Sequence, residues 1–217
     1  MSNETTEVGR PQRLPRDQRR AQLLESAQHV FVERGYHAAG MEDIAERAGV
    51  SKPVLYQHFP GKLELYLAIL DHQVELLESM ISDALAQAGD AKEKVYATFG
   101  AYFDFVTREG GAFRLVFESD LTKETAVRER LDRVERECAH IIAEHIVMDT
   151  GLPDEYATLL SIALAGMAQV TARGWLALDT QITKEDAARA AAHLAWRGLG
   201  NYPTRATTNA AGLPVGT

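Results

Sequence analysis

The alternation of apolar and polar residues has a helical period almost from end to end. From about Asp17 to Arg34, Leu23, Leu24, Ala27, Val30 and Phe31 fall on one face, the stripe of an amphipathic helix. Gly35 follows, where a helix end needs a residue that accepts positive φ. Met41, Ile44, Ala45 and Ala48 form a second, shorter stripe, closed by Gly49. Ser51 is placed to cap a third helix, with Pro53 in its first turn and Leu55 and Phe59 on one side. Because Pro53 lacks an N–H, Ser51 is expected to cap the N–H of Val54. This pattern predicts a helix-turn-helix, with the small Ala45 where the two helices cross.

The remainder predicts longer helices. Pro60-Gly61 ends the third helix and Lys62 opens the next, which carries Leu63, Tyr66, Ile69, Leu70, Val74, Leu77, Ile81 and Leu85. Helices follow from about Ala91 to Arg108 and from about Lys123 to Met148. Gly110-Gly111 and a short apolar turn around Phe113 to Phe117 lie between them. A helix from about Asp154 to Leu178 is apolar nearly all round. The last helix, capped by Thr183, is rich in alanine. The expected fold class is all-α: an N-terminal three-helix helix-turn-helix domain plus a C-terminal helical bundle that dimerises. The expected divisions are a disordered basic arm over 1–15, the DNA-binding domain over 16–61, a regulatory and dimerisation domain over 62–202, and a disordered tail over 203–217.

In the third helix, Lys52, Val54, Tyr56, Gln57 and His58 are left pointing largely outward. A mixture of cationic, amide and aromatic groups suits phosphates and base edges in a major groove. A solvated helical hairpin gives the same pattern. The matching residues then narrow the choice. RRAQLLESAQHVFVERGY, MEDIAERAGVS, LYQHF and the lysine of PGKLEL stand in the order and spacing of the TetR family of bacterial transcriptional repressors. Residues 19–66 therefore resemble that family's DNA-binding domain. Gly40-Met41 departs from the threonines that usually open the second helix, and Pro53 replaces a small residue. The resemblance implies a homodimer that binds a palindromic operator and represses by blocking RNA polymerase, with release by a small, largely apolar or aromatic effector. An effector-independent regulator, controlled by abundance or a protein partner, is the alternative.

The DNA-binding residues expected on these grounds are Arg16, Arg19, Arg20, Gly40, Met41, Ser51, Lys52, Pro53, Val54, Tyr56, Gln57, His58 and Lys62. The resemblance implies that Lys62 meets a phosphate. Glu42 and Asp43 favour the N-terminal dipole of their helix and are expected to face away from the DNA backbone. For Arg10 and Arg13 an arm reaching along the duplex and a solubilising tail stand as equal readings.

Charge changes the account in one respect. The formal net charge of −8 opposes nucleic-acid binding, but it is unevenly spread. Residues 1–62 hold nine Lys and Arg against eight Asp and Glu, whereas residues 63–217 hold 14 against 23. Only the first region suits phosphate, and only by local placement.

Seven of the 14 Phe and Tyr residues lie between 96 and 117. Core packing explains any one of them. Together they also suit an effector pocket, expected from Phe99, Tyr102, Phe103, Phe113, Phe117, Cys138, Met167 and Trp175. Two adjacent helices rich in small residues expose a sticky patch in a single chain. Leu160, Ala163, Met167, Val170, Ala191, Leu194 and Ala195 are accordingly expected to pair around a two-fold axis, and the resemblance implies the same four-helix interface.

One cysteine, Cys138, leaves no intramolecular disulfide and no cysteine-based zinc site. His140 with Glu144 is too little for a metal. No phosphate-cradling glycine loop, nucleophile elbow or paired acid–base carboxylates occur, so neither an enzyme nor a cofactor is expected. No run of about 18 apolar residues and no signal segment are found, and the expected compartment is the cytoplasm.

Overall fold

The computed structural model describes residues 14–119, 121 and 123–198, and these form helices with no strand among them. The expected arm and tail fall on or beyond 1–13 and 199–217 and so lie mostly outside the described residues. The chain divides into two compact units, Met1–Tyr66 and Leu67–Thr217.

The first unit is a three-helix head plus one turn of a fourth helix. Helix α1 spans Arg16–Ala38, α2 spans Met41–Arg47 and α3 spans Lys52–His58. Gly35 interrupts α1 at φ 73°, ψ 165°, a region open essentially to glycine alone. Regular helix therefore stops after Arg34, as the sequence implies. Leu23, Ala27, Val30, Phe31, Ile44, Ala45, Ala48, Leu55 and Phe59 are buried and form the core. Tyr36 lies 5.8 Å from Phe31 and 5.2 Å from Tyr66, ring centre to ring centre, so it closes the core from below. Gly49 at φ 64° reverses the chain between α2 and α3. Val50 N–H donates back to Ala45 O at 3.0 Å and fixes that turn.

One expectation fails in this turn. The Ser51 side chain makes no capping bond. The N–H of Val54 is satisfied instead by the Ser51 carbonyl at 3.0 Å, a one-residue-tighter turn that leaves the hydroxyl exposed.

The second unit takes most of α4 (Lys62–Gln87), then α5 (Ala91–Val106), α6 (Phe113–Phe117), α7 (Thr125–Thr150), α8 (Asp154–Ala177) and α9 (Lys184–Arg197). Asp90 caps α5 by accepting from Glu93 N–H at 2.8 Å, and Thr183 caps α9 by accepting from Asp186 N–H at 3.2 Å. Gly151 at φ 68° ends α7. Helix α8 packs against α5, α7 and α9. Its inner face is Ala157, Ser161, Ala165, Ala168 and Ala172, all buried, and small side chains there permit close approach. Its length and mean hydropathy of 1.2 would allow α8 to cross a membrane, yet this small-residue face is buried inside the bundle.

Gly35→Ala would force a Cβ into the glycine-only region. We expect it to lower stability by about 1–3 kcal/mol in denaturant unfolding, with helix content retained.

Candidate functional site

Helix α3 is only seven residues long and is held to the head by Leu55 and, at its C-cap, Phe59, which are 0% and 2% exposed. At helical spacing these two fix which side points inward. Ser51, Lys52, Pro53, Tyr56 and Gln57 are exposed, with Val54 and His58 half-buried beside them. Tyr56 is 47% exposed, unusual for a large aromatic with apolar neighbours. Gly40 and Met41, at the start of α2, are half-buried. Gly40 N–H donates to Asp43 Oδ2 at 3.0 Å. That bond, with the Arg34 guanidinium 2.9 Å from Oδ1, holds the Asp43 carboxyl below its ordinary range. The missing hydroxyl cap of α2 is thus replaced by Asp43 working in reverse.

The cations of this unit are not free. Six of the seven Lys and Arg described between 14 and 62 have a partner inside the head. Arg19 donates to Gln22 Oε1 at 2.7 Å, and Gln22 in turn donates to Ala48 O at 3.1 Å, clamping the turn. Arg20 sits 4.4 Å above the Phe59 ring. Arg34 pairs with Asp43, and Arg47 with Glu33 at 3.4 Å. Lys52 pairs with Glu42. Arg16 is exposed at the start of α1. Gln22 was not foreseen, because its partner lies 26 residues away.

One expected placement is corrected here. Lys62 does not offer its ammonium outward. Its Nζ donates to the carbonyls of Tyr36 at 2.8 Å, Ala39 at 2.9 Å and His37 at 3.4 Å, and lies 4.5 Å over the Tyr36 ring. All three ammonium protons are taken by carbonyls freed where α1 ends, where a cation also complements the helix dipole. Glu42, expected to face away from the DNA backbone, pairs with Lys52 of α3.

In the second unit the expected effector-pocket residues lie on α5, α6, α7 and α8. Phe99, Phe103, Phe113 and Cys138 are buried. Phe103 meets Trp175 at 5.7 Å, and Phe117 meets Phe105 edge-on at 5.7 Å. Burial pushes the Cys138 thiol up to about 12, so Cys138 is an unreactive core residue. Tyr102 lines a hollow of about 600 Å³ between α7 and α8, with Val134, Ala139, Ile162 and Gly166. Met167 lines another, of about 340 Å³, with Leu85, Val95, Ile142 and Leu164. In that second hollow the His145 Nδ1 is buried with no partner. Among the described residues no group of three or more His, Cys, Asp and Glu is arranged to hold a metal.

Of the expected dimerisation residues, Leu160, Ala163 and Val170 are exposed, whereas Met167, Ala191, Leu194 and Ala195 are half-buried. Tyr156, Leu159 and Ile162 extend the exposed apolar side of α8.

Residues 23–69 match the family described as bacterial regulatory proteins, tetR family. The HTH-type transcriptional activator FasR of Mycolicibacterium smegmatis (strain ATCC 700084 / mc(2)155) is 43% identical over 194 residues, 89% of each chain. The chain belongs to the TetR family. Like the relatives that carry that assignment, it is a DNA-binding transcriptional regulator and not an enzyme. A TetR-like transcriptional regulator from Rhodococcus sp. RHA1 superposes with a TM-score of 0.68 at 26% identity, covering 87% of this chain and all of its own. FadR from Bacillus subtilis, solved in complex with stearoyl-CoA, superposes with a TM-score of 0.66 at 18% identity, covering 82% of this chain and 98% of its own. At that identity the likeness is one of fold.

Three carbonyls hold Lys62, so Lys62→Met is expected to lower the stability of the head by about 1.5–3 kcal/mol. The salt dependence of DNA binding by the folded variant should stay unchanged. A slope reduced by about one unit, with stability intact, would return Lys62 to a phosphate.

Proposed function

We propose that the chain binds a near-palindromic operator as a homodimer and answers to a ligand with a largely apolar body. The observation that carries the DNA reading is the outward face of α3. Two inward anchors leave Lys52, Tyr56 and Gln57 exposed, and these are groups that contact phosphates and base edges. Helices of this kind insert in successive major grooves, with half-sites about 34–36 Å apart or a multiple of that. A second copy supplies the second helix.

The dimer reading rests on α8. Tyr156, Leu159, Ala163 and Val170 recur at helical spacing on its exposed side. A contiguous apolar stripe of this length marks a partner surface, and a two-fold axis pairs it with itself. Ligand control is supported by the hollows of the second unit and by FadR, which was solved with stearoyl-CoA. Binding would act by favouring one of two arrangements of the dimer, only one of which fits the operator. A repressor is what the resemblance implies, while FasR is named an activator. Operator binding does not fix the sign of the effect. We read the chain as a regulator whose outcome depends on where the operator lies relative to the promoter.

Footprinting of the DNA upstream of the protein's own gene should show a protected near-palindrome. Tyr56→Ala should weaken binding there by about 1–3 kcal/mol with the dimer unchanged. No protection, or full affinity in Tyr56→Ala, would count against α3 as the reading helix. Val170→Glu should give monomers in light scattering, because it places a carboxylate in the stripe. A surviving dimer would move the interface elsewhere.

A further inference from the structure

The cation of the reading helix is already occupied. Lys52 is the sole Lys or Arg on α3, and its ammonium pairs with the Glu42 carboxylate at the start of α2. Both side chains are more than half exposed, at 52% and 74%. A pair this open adds little to stability, so the head does not require it for folding. Its effect falls on charge instead. The attraction of a protein to duplex DNA scales with the number of phosphates it neutralises and counterions it releases. A cation covered by a carboxylate releases almost none. Elsewhere in the head Arg34, Arg47 and Lys62 are held by Asp43, Glu33 and backbone carbonyls, and the exposed Arg16 lies on α1, not on α3.

We propose that Glu42 lowers the sequence-independent affinity for duplex DNA by holding Lys52 until a phosphate displaces it. On random-sequence DNA the exchange gains little, since Lys52 trades one anion for another and the Glu42 carboxylate is left beside the backbone. At the operator, contacts from neighbouring side chains to base edges supply what the electrostatic part does not. The carboxylate thus lowers the electrostatic part of the affinity for any duplex. This rests on the reading of α3 as the DNA-contacting helix.

The test uses the full chain and a labelled random-sequence duplex of 30 base pairs, titrated between 50 and 200 mM monovalent salt. Glu42→Gln keeps the shape and removes the charge. It should bind about 3- to 8-fold tighter at 0.1 M salt, with log K falling more steeply by about 0.9 per decade of salt. Lys52→Met should change little in the wild-type background and remove most of that gain in the Glu42→Gln background. This non-additivity identifies the pair. Melting curves of all four proteins check that each is folded. Equal affinity and slope for wild type and Glu42→Gln would overturn the role of Glu42, as would an equal effect of Lys52→Met in both backgrounds. Failure of every folded protein to bind any duplex would overturn the DNA reading beneath it as well.

Discussion

The burial of Leu55 and Phe59 fixes the orientation of everything that α3 presents. A seven-residue helix has too few hydrogen bonds to persist alone. Its direction, register and existence come from these two side chains and from the turn around Gly49. A one-residue slip would rotate the helix by about 100° and bury Val54 or Tyr56 in place of Leu55. The Val50 N–H to Ala45 bond and the Gln22 clamp on Ala48 prevent that slip from opposite sides of the turn. The polar face is therefore a consequence of where two apolar residues sit.

The head is built on few free charges. Its cations close α1, flank α2 and cover an aromatic ring before any partner arrives. This explains how a region of nearly balanced charge can carry a nucleic-acid face. Lys62 illustrates the point. The short turn that follows Gly35 leaves the Tyr36, His37 and Ala39 carbonyls in need of donors, and Lys62 is the residue that the chain brings back to them after the helix-turn-helix. A phosphate at this place would compete with three short-range carbonyl bonds. The carboxylates, too, have assigned partners, with Asp43 serving the backbone of Gly40 and Glu42 the ammonium of Lys52.

The helices and their inner faces were legible in the sequence because they depend on neighbours three and four positions away. Gly35, Gly49 and Gly151 mark the breaks for the same local reason, a positive φ. Ser51 was misjudged by assuming that a good capping residue uses its side chain. The backbone took up the Val54 N–H first by tightening the turn. Lys62 and Gln22 were illegible, since their partners lie 23 to 26 residues away in chain and adjacent in space. The aromatic cluster was legible as a cluster, and its rings do meet, Phe103 with Trp175 and Phe105 with Phe117. Period alone does not distinguish a ring that lines a space from one that fills it.

Helix α8 shows why composition alone misleads in the opposite direction. Apolar on most sides, it passes as a membrane segment by hydropathy, and few of its residues are buried in the single chain. Its two faces differ in kind. The inner one is built of alanine and serine, which suits close helix packing and little else. The outer one carries Tyr156, Leu159, Ile162 and Val170, side chains large enough to interlock with a neighbour. That division alone also suits a helix packed on protein on one side and facing lipid on the other. The neighbours decide between them. Exposed Asp132, Glu135 and Arg136 of α7 line the same hollow as Ile162 of α8, and charges so placed are costly in lipid. They favour a second protein surface over α8.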